Sequence, residues 1–239
     1  MKLDKNVHKR IMLKILSDIS DDAFLVNNLG FKGGTACYFL HGLDRFSVDL
    51  DFDSLNAEKD GLIKERLINL LSKYGTIKTK TSIKLKYSDE YQSLKIDLST
   101  RHENYQKNTY EIKDIVSGVA LKVLKKEDIF AHKLLALTMR GSSDTGEGSV
   151  LANRDLYDIN FFFKKMWNFN QAIIELGSGK KINDYLRYCI KFIEKNVNEA
   201  NILDRLGELV SDEKRMWIKK NLKKEVLKEL AIHIKLSED

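Results

Sequence analysis

The stretch that most restricts how this chain can fold is Phe46 to Asp53, where apolar and polar residues alternate without a break. Phe46, Val48, Leu50 and Phe52 share one parity, and Ser47, Asp49, Asp51 and Asp53 share the other. A strand here has one core face and one acidic face. Asp49 and Asp51 stand two strand positions apart, roughly 6.5–7 Å between Cα atoms, and can converge on the same divalent ions. Lysine or threonine would solvate an edge strand equally well. Aspartates on one face repel each other unless a cation neutralises them.

Just upstream, Gly33-Gly34-Thr35 opens a short helix predicted through Leu43, and Gly42 with Asp44 turns the chain into the acidic strand. Backbone N–H groups and a hydroxyl at such a turn can hold an anion such as phosphate. A phosphate cradle beside paired carboxylates points to phosphoryl or nucleotidyl transfer.

Composition narrows the setting. At 239 residues and 43% hydrophobic content the chain can bury a real core, in one domain or two closely packed ones. No apolar run approaches the ~18–20 residues of a membrane span. The start, Met1 to Lys5, lacks the apolar stretch of a signal peptide, so a cytoplasmic protein is expected. Cys37 and Cys189 are too few for a disulfide framework or a zinc cluster, and buried, reduced thiols are expected.

Residues 4–28 read as one or two amphipathic helices, with Asp21-Asp22 as a break or new cap. A helix is predicted over Lys59 to Tyr74, then strands at Ile83 to Tyr87 and Tyr91 to Ser99. In the second strand Asp97 points away from the apolar face, a natural third carboxylate for Asp49 and Asp51. Arg101 to Ser117 reads as a loop with a short strand near Tyr110 to Val116. A helix from Lys126 carries Lys133 and Arg140 two turns apart on one face, able to address one polyanion. Gly141 to Gly148 reads as a loop. The next helix is predicted to begin near Asn153, with Asp155 and Asp158 on one face. Gly177-Ser178-Gly179 reads as a linker before a run of helices.

The net charge is +6, and from Lys214 to Lys228 seven basic residues face one acid, Glu225. The bland reading is a solvated helix face. The sharper one is a backbone-binding surface for RNA at Lys219, Lys220, Lys223 and Lys224.

Gly33-Gly34-Thr35-Ala36, Arg45-x-Ser47-x-Asp49-Leu50-Asp51-Phe52, Lys133-Leu134-x-Ala136-Leu137-x-x-Arg140 and Arg154-Asp155-Leu156-x-Asp158 together resemble the AbiEii/AbiGii nucleotidyltransferase toxin family. The resemblance covers roughly residues 25–165, with Cys37 departing from an expected leucine. It implies an α+β fold: a polymerase-β-like nucleotidyltransferase core with a small mixed sheet (residues 1–117), then a C-terminal helical domain (118–239). It implies that Gly33, Gly34 and Thr35 hold the triphosphate, with Ser47, Arg140 and Asp158 on the nucleotide side. It implies two Mg²⁺ ions at Asp49 and Asp51, and catalytic roles for Lys133 and Asp155. Asp97 matches the superfamily's third carboxylate by strand position alone. The activity implied is transfer of a nucleoside monophosphate from NTP, with the tRNA acceptor end as substrate, blocking translation, and with a cognate antitoxin as functional partner. Transfer to a small-molecule or protein hydroxyl, and a non-catalytic nucleotide-sensing RNA-binding protein, stay open beside it.

Overall fold

The computed structural model describes residues 2–80, 82–140 and 147–237, without the side chains of residues 104, 105, 140 and 147–152. It falls into two compact units, Met1–Lys125 and Lys126–Asp239.

In the first unit Asp4 caps α1 (Lys5–Asp21) by accepting from the amides of Asn6 and Val7. Asp22 then ends α1 and caps α2 (Ala23–Asn28), accepting from Phe24 and Leu25, which confirms the break predicted there. Met12, Ile15, Leu16 and Ile19 form the buried stripe of α1, at the spacing a helix needs.

The strands are β1 (Leu29–Lys32), β2 (Asp49–Ser54), β3 (Thr76–Thr79), β4 (Ile83–Lys86), β5 (Leu94–Ser99), β6 (Tyr110–Val116) and β7 (Val119–Leu124). Among the described residues they form one seven-stranded mixed sheet, in the order β3-β4-β5-β2-β1-β7-β6. Helix α3 (Gly33–Leu40) connects β1 to β2, and α4 (Asp60–Ser72) precedes β3. Strand β3 escaped the sequence reading because Thr76, Lys78 and Thr79 are exposed on an edge strand with no apolar face to mark it. The first unit also runs past residue 117. Strand β7 pairs antiparallel with β6 and parallel with β1, so residues 118–125 belong to the sheet and not to the helical part.

The second unit is helical: α5 (Lys126–Arg140), α6 (Glu147–Lys164), α7 (Gln171–Ser178), α8 (Ile182–Asn196), α9 (Asp212–Trp217) and α10 (Lys223–Leu236), with a π turn at Ile218–Leu222 between the last two. Phe130 packs edge-on against Phe162 and Phe163 at 5.1 and 5.0 Å, and Phe162 stacks on Trp167 at 4.6 Å. Tyr185 of α8 donates to the Leu134 carbonyl of α5 at 2.8 Å.

Two predicted features change here. Helix α6 begins at Glu147 and not near Asn153, so Asp155 and Asp158 lie inside it rather than in its first turn. Residues 141–146 of the predicted loop lie outside the described residues. Gly177 and Ser178 close α7 rather than forming a linker. A Cβ on Gly177 would sit 2.6 Å from Leu135, so glycine is there for close helix packing, and Gly179 ends the helix at φ +66°.

Both cysteines are buried and unbridged, as expected, and burial pushes the Cys189 thiol up to about 12. No helix among the described residues is long and apolar enough to cross a membrane.

Candidate active site

Strand β1 ends at Lys32, and the chain turns at Gly33 with φ +79° into α3. Glycine is required twice over. The φ lies in the left-handed region, and an added Cβ would stand 2.3 Å from Asp51 Oδ2. The Asp51 carboxylate therefore rests directly on the turn. Gly34 is equally crowded, since its Cβ would lie 2.7 Å from Arg45 Nη2 and 3.1 Å from Ser47 Oγ. The Lys32 side chain does not cap α3, and the first amides of the helix are of the kind that can serve an anion. Gly33→Ala is expected to cost about 1–3 kcal/mol through backbone strain and to displace Asp51. Thermal unfolding and activity assays should both register the change.

The strand register places the acids. Asp51 pairs with Lys32 across the antiparallel β1–β2 ladder and with Asp97 across the parallel β2–β5 ladder, while Asp49 lies beside Lys95. Asp97 thus stands on the adjoining strand at the level of Asp51, where its strand position was predicted. Its carboxylate is ion-paired with Lys95.

The acidic face is not uniform. Asp49 and Asp51 are half-buried, whereas Asp53 is fully buried, ion-paired with Lys32 and accepting from the Tyr110 hydroxyl at 2.7 Å. Gly30 makes this possible, because a Cβ there would stand 2.3 Å from the Tyr110 ring. Thr35 also differs from expectation. Its hydroxyl is buried, donates to the Asp49 carbonyl and lies 2.8 Å from Ser47 Oγ. These two hydroxyls tie α3 to β2, so what Thr35 offers an anion is its amide.

His8 fixes the entry to β2. Its Nε2 donates to the Val48 carbonyl at 2.9 Å, leaving Nδ1 to accept from the Tyr87 hydroxyl at 2.8 Å. Burial lowers its pKa from 6.5, outweighing the raising effects of the Val48 hydrogen bond and of Asp49. The unfolded chain takes up the proton more readily. Stability present above the ordinary value is therefore lost as pH falls through about 6.5 toward the lower folded value. His8→Gln should flatten the pH dependence of the unfolding midpoint in that window, and an equally steep dependence would rule His8 out as its source.

In the second unit Lys133 Nζ sits between Asp155 Oδ1 at 2.8 Å and Asp158 Oδ2 at 2.9 Å, with the two carboxylates 1% and 0% exposed. The predicted spacing on α5 and α6 thus becomes one buried ion triad. The Arg140 side chain lies outside the described residues. On the basic helix Lys219, Lys220 and Lys224 are exposed, but Lys223 donates to the Glu194 and Val197 carbonyls at the end of α8. Its ammonium caps a helix.

Sequence reasoning assigned no site role to Arg45, the cation against the turn, or to Lys32, which precedes the turn and pairs with Asp53. Arg45 is 3% exposed, with Nη1 donating to the Phe46 carbonyl at 3.1 Å. The available signal was a lysine directly before Gly-Gly and an arginine directly before the alternating strand.

Among the described residues no three carboxylate, imidazole or thiolate side chains gather as a metal cluster. The carboxylate pair still suits magnesium, which uses one or two carboxylates and completes its shell with water and substrate phosphates. The Asp51 carboxylate pressed against the helix start supplies such oxygens where phosphates would lie.

Comparisons with known proteins identify the family and the fold. The sequence matches the family described as nucleotidyl transferase AbiEii toxin, type IV TA system, over residues 14–217. A search of curated proteins returns no match. A crystal structure from H. pylori, titled as that of a nucleotidyltransferase, is similar at TM-score 0.56 and 22% identity, covering 97% of this chain and 98% of that one. JHP933 from Helicobacter pylori is similar at TM-score 0.56 and 24% identity, covering 98% and 93%. These likenesses concern the fold, a mixed sheet followed by helices, while the match over residues 14–217 takes in both the Gly-Gly turn and the Lys133 triad. This chain belongs to the AbiEii nucleotidyl transferase toxin family of type IV toxin–antitoxin systems.

Proposed function

We propose that this toxin transfers a nucleoside monophosphate from NTP to the 3′ acceptor end of tRNA, which would prevent aminoacylation and stop translation. The observation that carries the reading is the Asp51 carboxylate lying against the Gly33-Gly34 turn at the start of α3. One carboxylate of the Asp49–Asp51 pair meets the glycine turn there within contact distance.

In this reaction the acceptor hydroxyl oxygen bonds to the α-phosphorus, the bond to the bridging oxygen breaks, and pyrophosphate leaves. The amides of Gly33, Gly34 and Thr35 hold the triphosphate, with Arg45 supplying positive charge beside Gly34. Asp97 accepts the hydroxyl proton. Mg²⁺ held by Asp49 and Asp51, with Asp97 as a third ligand, would neutralise phosphate charge and orient the oxygens of an in-line displacement. Lys133, Arg140, Asp155 and Asp158 enter the proposal through the sequence pattern they share with the family. Lys219, Lys220 and Lys224 are assigned to the RNA backbone, and the functional counterpart is a cognate antitoxin.

Incubating the purified protein with total tRNA and each labelled NTP in turn tests the proposal. Label at the RNA 3′ end with pyrophosphate release is expected. Label on a small molecule or a protein, or no transfer with any NTP, would overturn it.

A further inference from the structure

Lys5, Lys9, Arg10 and Lys14 are exposed along α1, and no acidic residue lies between Lys5 and Ser17. Two rings of α3 stand beside this row. Lys9 Nζ lies 5.5 Å from the Tyr38 ring centroid and 6.0 Å from that of Phe39, within cation–π range. The rings meet edge to face at 5.3 Å, and both are half-buried, so each still presents surface to solvent. Lys9 also lines an open groove of about 360 Å³, together with Asn6, Arg10, Lys14, Val116 and Val119. Tyr38 and Phe39 belong to the same short helix that Gly33 and Gly34 open, about 7.5 Å along its axis from the turn.

We infer that this α1–α3 face is the docking surface for the single-stranded 3′ segment of the acceptor RNA. A single strand offers phosphates and unpaired base faces together, and the surface offers cations and rings together. Lys9, Arg10 and Lys14 take phosphates, while Tyr38 and Phe39 stack bases with little regard to sequence. A duplex keeps its base faces stacked within the helix and would leave the rings unused. An anionic membrane would offer phosphates without unpaired base faces, and the vesicle arm of the test separates it from RNA. The inference rests on the transferase reading only for which RNA end docks.

The test is fluorescence anisotropy with a short labelled single-stranded RNA and a hairpin duplex, without NTP, over a range of salt. K9E/R10E/K14E is expected to weaken single-strand binding more than about tenfold and to lower the salt slope by about 2, the counterion release of three phosphate contacts. Y38A/F39A is expected to weaken it about tenfold with the salt slope unchanged, and to leave duplex binding unaltered. K9R/K14R, which keeps the charge, should bind as the wild type does, separating charge loss from damage to α1. Unchanged single-strand affinity in folded K9E/R10E/K14E overturns the inference. So does an equal loss for duplex and single strand in Y38A/F39A, or binding to phosphatidylserine vesicles with none to RNA. A wild type that binds the strand through these residues yet adds no nucleotide would sink the transferase reading and leave the surface standing. RNA labelled at full rate by variants with unchanged affinity would do the reverse.

Discussion

Asp51→Asn is expected to lower nucleotidyl transfer by about 10³-fold without loosening the fold. The substitution keeps the side chain's shape against Gly33, where the fit is tight enough to exclude even a Cβ, and removes only its charge. Asp49 lies two positions along the same strand and Asp97 at the same level on the next, so neutralising Asp51 also relieves repulsion among like charges. Thermal unfolding should therefore be unchanged or slightly raised while turnover collapses. Radiolabel transfer and an unfolding midpoint, measured on one preparation, decide the matter. A variant retaining more than about a tenth of wild-type transfer would show that the carboxylate beside the turn is not what the reaction needs.

The second large effect is expected in stability. Lys133→Met leaves Asp155 and Asp158, at 1% and 0% exposure, facing each other without the ammonium between them. Removing one partner from a buried charge group typically costs about 3–5 kcal/mol, because the remaining charges stay desolvated. The second unit should lose that much in denaturant unfolding. Asp155→Asn/Asp158→Asn on the Lys133→Met background should recover a large part of it, since the two carboxylate charges are then removed with the ammonium. If Lys133→Met is as stable as the wild type, the triad is not a stability element and its lysine is held for another purpose. Either result separates a structural role from the catalytic one that the family pattern assigns to Lys133.

The alternation from Phe46 to Asp53 made β2 legible from Asp49 on, because strand side chains have a period of two, and its core face is present in buried Leu50 and Phe52; Phe46 to Val48 are buried but precede the strand. The break at Asp21-Asp22 was readable because capping is settled by neighbouring amides, as Asp22 shows. Strand β3 was not readable, since its pairing with β4 comes from the sheet and leaves no apolar imprint on Thr76 to Thr79. The start of α6 was misplaced because Glu147 to Ala152 carries glycine and serine, which favour loops locally, and such propensities are weak guides.

By itself, then, the sequence determined the Gly-Gly turn, the aspartate pair, the third acid's strand and the family, all consequences of short-range spacing. Only the tertiary structure decided what the neighbouring groups do. It pressed Asp51 onto Gly33, turned the Thr35 hydroxyl inward to the Asp49 carbonyl and buried Asp53 under Tyr110. It also spent Lys223 on the end of α8. Those outcomes depend on contacts between residues far apart in the chain, and local periodicity carries no information about which distant side chain will fill the space beside a given carboxylate.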